Sequence, residues 1–259
     1  AFSPWTTSTR KRSRPPARLP GGTRRVVLGP FPRLITAGWS NCYGSGGPMP
    51  KPKQRPARKL SPVLHILCEG TKTEPYYLGQ YIHEHFPGTK LIRIEKTPKR
   101  TPKELVAAAR EILRCAPEGD IAWVVYDRES PTKYSDSLHA AARQKAGGKV
   151  QIALSNVCFE VWLLLHFQGT CKAHDSCDDL LQRSRLKELI PDYDKANRRR
   201  YSEDEINFAR QNAKQMNEST KRGANADWTQ PHQWNPYTDV YKLLDAIDQF
   251  GGTYCTRPP

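Results

Sequence analysis

Residues 63–77 read VLHILCEGTKTEPYY, and this stretch decides the fold. Its apolar run is interrupted only by His65, which is the pattern of a strand covered on both faces in a parallel α/β sheet. Glu69 would then follow the strand at its carboxyl end, the edge at which open α/β sheets collect their ligands. Thr73 and Pro75 indicate the start of a helix. The simpler alternative is that Glu69 satisfies the loop or the N-terminus of that helix.

Helices and strands alternate along the chain to about residue 167. Apolar periodicity predicts further strands at residues 90–95, 121–126 and 150–154. It predicts helices at residues 74–86, 102–115, 136–146 and 158–167. Because this order makes successive strands parallel, we expect an α/β fold, with a parallel sheet flanked by helices on both sides.

The C-terminal part of the domain is predicted to be helical. Residues 169–200 are polar and charged. Ser202 and Glu205 resemble a capping box that begins a helix ending near residue 217. A last amphipathic helix follows, so the domain spans residues 60–250, and residues 251–259 form a tail.

Residues 1–59 are rich in Arg, Pro, Gly, Ser and Thr, which predicts a disordered basic extension. Residues 1–48 carry eight Lys and Arg and no Asp or Glu. Our hypothesis is that the functional protein starts at or near Met49. The alternative is a basic arm that contacts phosphates.

The charge balance favours a polyanionic partner. The chain has 41 basic and 26 acidic residues and a net charge of +15. The alternative is that the excess charge serves only solubility. No apolar run approaches the roughly 18 residues of a membrane span, and none has the form of a secretory signal, so we expect a cytoplasmic protein without a membrane partner.

The cysteines form an odd set without paired spacing, which is typical of reduced thiols. They lie at positions 42, 68, 115, 158, 171, 177 and 255. His166, Cys171, His174 and Cys177 lie within twelve residues and could form a zinc site, although structural zinc usually has closer paired ligands.

Carboxylates follow two of the predicted buried strands. Glu69 follows the first, and Asp127 and Glu129 follow the strand at residues 121–126. If these strands are neighbours, the side chains converge at one sheet edge, where they repel one another unless a cation lies between them. The set therefore predicts a Mg²⁺ or Mn²⁺ site.

These motifs carry a family resemblance. A strand ending in Glu69-Gly70 and a later strand ending in Asp127-Arg128-Glu129 resemble the Toprim domain of primases, topoisomerases and related nucleases. The stretch SNVCFEVWLLLHF at residues 155–167, with Thr73-Glu74-x-Tyr76 and Asn235-Pro236-x-Thr238, closely resembles the RloB-like family of bacterial loci for defence against foreign DNA. The resemblance covers about residues 60–250.

The resemblance implies roles for the acidic residues. Glu69 matches the family's general acid or base, which also helps to hold metal, and Asp127 matches the first metal-binding aspartate. Glu129 stands where the pattern usually has Asp, and Val157 stands where the family commonly has Pro. Glu160 is either a further metal ligand of this site or a residue that stabilises the helix dipole.

Several other side chains could bind substrate. Lys72 and Arg128 are predicted to contact phosphate; the alternative is that both are exposed loop cations. Asn156 is also predicted to bind substrate; the alternative is that it caps the following helix. A second basic region could bind nucleic acid, with two tryptophans as stacking faces; the alternative is an ordinary solvated surface. Its residues are Arg198, Arg199, Arg200, Lys221, Arg222, Trp228 and Trp234.

The resulting functional prediction is a Toprim-type, Mg²⁺-dependent nuclease that cleaves DNA or RNA, with tRNA among the candidates, in defence against foreign genetic elements. An ATPase or restriction-modification system encoded nearby is the expected partner. The alternative is a non-catalytic nucleic-acid- or partner-binding subunit of a defence complex. A third reading is a nucleotidyl- or phosphotransferase. The oligomeric state stays open.

Overall fold

The computed structural model describes residues 60–191, 193–194 and 199–255. The predictions for the extension at residues 1–59, for a start at Met49 and for Arg198 concern residues outside this range. Among the described residues, no helix has the length and apolar character needed to cross a membrane.

Five strands in the described part of the chain form one sheet. They are β1 (Leu64–Cys68), β2 (Ile92–Glu95), β3 (Ile121–Asp127), β4 (Val150–Asn156) and β5 (Tyr237–Thr238). Their order in space is β2-β1-β3-β4-β5, with the first four parallel and β5 antiparallel to β4. The predicted α/β sheet is confirmed, and β5 is an addition that is too short to give a periodic signal.

Helices cover both faces of this sheet, as expected. They are α1 (Thr73–His85), α2 (Pro102–Cys115), α3 (Asp136–Ala146), α4 (Glu160–Leu164), α5 (Cys177–Arg183), α6 (Leu186–Leu189), α7 (Glu203–Gly223) and α8 (Val240–Tyr254). The helices α2 and α3 pack on one face, and α1, α4, α7 and α8 pack on the other.

The two apolar cores explain the uninterrupted apolar runs of the central strands. Ile66 of β1 belongs to the core under α1, whereas its neighbour Leu67 belongs to the core under α2. In β3, Val125 belongs to the core under α1 and Val124 belongs to the core under α2. Alternate residues of a strand point to opposite faces, so a strand buried on both sides is apolar except where a polar side chain such as His65 has buried partners.

The C-terminal helices differ from the sequence prediction in extent. The helix α7 continues past residue 217 to Gly223, because the amide of Asn217 is itself buried and exchanges hydrogen bonds with the backbone of Thr238. The helix α8 includes residues 251–254 of the expected tail. Gly251 lies inside this helix and does not end it. The ring of Phe86 packs so closely against Gly251 that it would clash with a Cβ at this position.

Residues 169–200 also contain structure that the pattern did not predict. Two short helices, α5 and α6, lie in this polar stretch, and each buries one leucine, Leu180 and Leu186. Helices of seven and four residues are too short to give a periodic signal. The capping box of Ser202 and Glu205 at the start of α7 is confirmed.

Candidate metal and active site

The carboxyl ends of β1 and β3 bring Glu69 and Asp127 together. The strands are neighbours, and the backbone N–H of Glu69 donates to the carbonyl of Val125 at 2.9 Å. The backbone N–H of Asp127 donates in turn to Oε2 of Glu69 at 3.2 Å. The sequence left open whether these two strands are neighbours. The structure pairs them, so the two acids lie at the same edge of the sheet.

Glu74 joins this edge, although the sequence prediction did not include it. It lies buried in the first turn of α1, and its Oε1 accepts a hydrogen bond from the N–H of Gly70 at 3.0 Å. A Cβ at position 70 would lie 2.1 Å from Oε2 of Glu74, so glycine makes room for this carboxylate. The sequence signal was an acid in a first helical turn, which is also the ordinary position of a dipole-stabilising residue.

Glu160 is the first residue of α4, is buried, and lines the same pocket. Its Oε1 accepts a hydrogen bond from the hydroxyl of Tyr193 at 2.7 Å, and its Oε2 accepts one from the thiol of Cys177 at 3.4 Å. The structure therefore places Glu160 beside the acidic edge, on the side that faces Cys177.

The oxygen Oδ1 of Asp127 is buried, and no group among the described residues donates to it. Leaving a buried carboxylate oxygen without a donor is energetically costly. Burial, followed by the charges of Glu74, Glu160 and Glu69, raises the pKa of Asp127 well above its usual range. This oxygen lacks the counter-charge that buried carboxylates normally have.

Glu69 is also a perturbed acid. Burial raises its pKa to about 7, and the nearby charge of Glu129 adds to the rise. Hydrogen bonds from the Tyr134 hydroxyl and the Asp127 N–H act in the opposite direction, as does the charge of Lys133. Such a pKa suits a general acid or base at neutral pH.

These acids surround a pocket of about 390 Å³. The pocket also has cations at its wall: Lys72 and Arg100 are exposed, and Nζ of Lys133 donates to Oε1 of Glu129 at 2.6 Å. The hydroxyl of Tyr134 donates to Oε1 of Glu69 at 2.7 Å. Sequence reasoning missed Arg100, Lys133 and Tyr134, because single residues in loops carry no pattern.

The donors at this edge fit a hard divalent cation. They are carboxylate oxygens, which Mg²⁺ and Mn²⁺ prefer, and one of them is the unpartnered Oδ1 of Asp127. Glu69 and Asp127 are in direct contact, while Glu129 is paired with Lys133.

A comparison with protein families matches residues 64–247 to the model described as RloB-like protein. The chain belongs to the RloB-like family. The matched span of this RloB-like protein runs from β1 into α8 and contains all the acids of the pocket. No curated protein and no solved structure matches the chain.

Two predicted substrate-binding residues of the RloB-like chain are held by the protein itself. Arg128 is buried, and it donates to the carbonyls of His232 at 2.9 Å and Tyr134 at 2.7 Å and to Asp136 at 2.7 Å. This arrangement is that of a loop anchor, and it agrees neither with the predicted phosphate contact nor with the alternative of an exposed loop cation. The amide of Asn156 is likewise buried against the carbonyl of His232, at 3.1 Å.

The predicted zinc set is not brought together. His166 bonds the hydroxyl of Tyr77 and the carbonyl of Trp162, both at 3.0 Å, and His174 pairs with Asp179 at 2.8 Å. Both imidazole nitrogens of His166 and Nδ1 of His174 are therefore engaged within the protein.

The second basic region is only partly engaged within the RloB-like protein, since Lys221 and Arg222 are exposed. Arg199 and Arg200 each form an internal ion pair, and Trp234 is buried. Trp228 is 47% exposed and lines a second cleft of about 730 Å³, which shares Glu129 with the acidic pocket.

Proposed function

We propose that this RloB-like protein is a metal-dependent phosphodiesterase, a nuclease of the Toprim type that acts on DNA or RNA in defence against foreign genetic elements. The observation that carries the proposal is the buried, unpartnered Oδ1 of Asp127, since no described residue donates to it, although it lies among other acids. A divalent cation is the counter-charge that such a cluster requires.

Asp127 and Glu69 would hold Mg²⁺ or Mn²⁺, with Glu74 and Glu160 as further carboxylates of the same pocket. When bound, such an ion activates water and stabilises the charge that develops on phosphoryl oxygens. The other requirements of phosphodiester cleavage fall to side chains of the protein.

Glu69 is suited to move a proton. Burial raises its pKa, and a bound cation would lower it again, which leaves a carboxylate that can accept a proton from water and return it to the leaving oxygen. The hydroxyl of Tyr134 holds Oε1, and the N–H of Asp127 holds Oε2, so both oxygens have fixed positions. Tyr134 is therefore a positioning residue.

Lys72, Arg100 and Lys133 are placed to attract the phosphates of a nucleic acid strand. The neighbouring cleft offers the exposed ring of Trp228, on which a base could stack. Neither kind of contact depends on the sugar, so DNA and RNA, including tRNA, are all candidate substrates.

The test is to incubate the purified full-length protein with duplex DNA, single-stranded DNA and tRNA, in Mg²⁺ or Mn²⁺. We expect cleavage of at least one of these substrates, and we expect a chelator to abolish it. Cleavage that persists in the chelator and in Asp127→Asn would overturn the proposal.

A second candidate is a non-catalytic subunit that binds nucleic acid and uses the metal only for stability. The ion pair of 2.6 Å between Lys133 and Glu129 favours it, because this carboxylate already has a partner. Binding of Mn²⁺ and of a nucleic acid, without cleavage of any of the three substrates, would support this candidate instead.

A further inference from the structure

Three metal-ligating side chains meet behind the acidic pocket. Cys158 lies just before α4, Glu160 is the first residue of that helix, and Cys177 is the first residue of α5. All three are buried. Among the described residues, one ligand atom from each of them lies within 4.8 Å of the other two. Neither cysteine lines the acidic pocket.

The spacing of these atoms fits a tetrahedral zinc site. Sγ of Cys177 lies 3.4 Å from Oε2 of Glu160. Zinc–ligand bonds of about 2.3 Å to sulfur and 2.0 Å to oxygen put two such ligands about 3.5 Å apart at the tetrahedral angle. Two sulfurs on one zinc would be about 3.8 Å apart. The sulfurs of Cys158 and Cys177 lie within 4.8 Å of each other, which is compatible with this separation.

We propose that Cys158, Glu160 and Cys177 bind a thiophilic divalent cation of the zinc class, at a second site that adjoins the proposed Mg²⁺ site through Glu160. Two sulfur donors select such a cation over Mg²⁺, which prefers oxygen alone. Three protein ligands leave one tetrahedral position for water or another group.

The bound cation joins two segments of the chain. It connects the start of α4 to the start of α5 across residues 165–176. Because Glu160 also lines the acidic pocket, the cation fixes one wall of that pocket while the proposed nuclease chemistry takes place at Asp127. In the structure the Cys177 thiol donates to Glu160. Binding of the cation would release this proton and the thiol proton of Cys158 to solvent, because both sulfurs bind as thiolates.

The test is to titrate the full-length, chelator-treated and reduced protein with Co²⁺. Binding is monitored by the absorption band of sulfur-to-cobalt charge transfer. We expect one equivalent to bind with this band, Zn²⁺ to displace it, and excess Mg²⁺ to leave it unchanged. Cys158→Ser and Cys177→Ser should each weaken binding at least about 100-fold. The matched control is Cys115→Ser, which changes an exposed cysteine and should keep the band.

A second measurement needs no variant, so it stands even if a cysteine substitution prevents folding. X-ray absorption at the zinc edge of the wild-type complex should give two sulfur ligands. Three results would each overturn the proposal. The first is a zinc shell of oxygen and nitrogen alone, and the second is displacement of Co²⁺ by Mg²⁺. The third is a disulfide between Cys158 and Cys177 whose reduction yields a protein that binds no metal. None of these readouts uses a nucleic acid, so they do not depend on nuclease activity.

Discussion

Two of the acidic clusters in the described part of the chain differ in their counter-charge. Between α7 and α8, Asp245 and Asp248 both pair with the guanidinium of Arg210, which contacts Asp248 at 2.6 Å. At the carboxyl edge of the sheet, Asp127 and Glu69 contact each other, and no described Lys or Arg forms an ion pair with either. The same residue types are therefore neutralised in one region and left in excess in the other.

The difference separates a structural cluster from a functional one. A partly exposed carboxylate beside an arginine is stabilised in its charged form and needs nothing more. Buried carboxylates that face one another resist ionisation, and burial raises the pKa of both Asp127 and Glu69. Such an arrangement costs stability, and the proposed cation would offset that cost.

The largest difference between the regions should appear in cleavage. We expect Asp127→Asn and Glu69→Gln each to lower kcat/KM at least about 100-fold, since changes in outer-shell partners of metal ligands already cost 10–100-fold. Asp248→Asn makes the same chemical change in the paired cluster and should stay within about threefold of wild type. Equal losses in Asp127→Asn and Asp248→Asn would erase the distinction.

The pH dependence of folding should reveal the raised pKa of Glu69. Folding raises it from 4.5 to about 7, so between these values the folded state holds a proton that the unfolded state has released. The stabilisation is therefore full below the lower value and is lost as pH rises through about 7, by roughly 2–3 kcal/mol.

Urea unfolding in chelator at several pH values measures this effect. Because other groups titrate as well, the comparison is between wild type and Glu69→Gln, and the difference between their curves should change across this window. Parallel curves for the two proteins would contradict the assignment of the raised pKa to Glu69.

Neutralising one acid should change stability in opposite directions in the two regions. At pH 8 in chelator, Asp127→Asn removes repulsion between buried acids and should raise the free energy of unfolding by about 1 kcal/mol. Asp248→Asn weakens its bonds to Arg210 and Tyr81 and should lower it by about 1 kcal/mol. Changes of the same sign would show that counter-charge does not distinguish the clusters.

The smallest expected effect concerns the cations around the pocket. Lys133→Ala should raise KM about three- to fivefold with little change in kcat, because an exposed lysine contributes less than about 1 kcal/mol. The control is Lys149→Ala, an exposed lysine next to the start of β4, at the opposite end of the sheet. A KM that rises equally in both variants would point to general charge attraction.

The paired strands and their terminal acids could be predicted from sequence for a physical reason. A strand buried on both faces must be mostly apolar along its length, and the residue after it must lie at the sheet edge, so Glu69 and Asp127 followed from pattern alone. The partner strands of the sheet also followed from the alternation of elements.

Other members of the site depended on tertiary contacts that no local pattern encodes. Glu74 resembles any first-turn acid, and its role emerges only when Gly70 admits its carboxylate. Arg128 lies between two acids in sequence, yet buried carbonyls hold it in the loop. Cys158 and Cys177 meet through α4 and α5, and α5 itself left no periodic signal.

Direct titration with Mn²⁺ tests the central claim, that the sheet-edge acids hold a divalent cation. Chelator-treated wild type, Asp127→Asn and Asp248→Asn would be compared by calorimetry at pH 8, above the pKa of Glu69. Wild type and Asp248→Asn should bind Mn²⁺ alike, and Asp127→Asn should bind at least about 100-fold more weakly. Equal affinity in all three proteins, or no binding by wild type, would contradict the account.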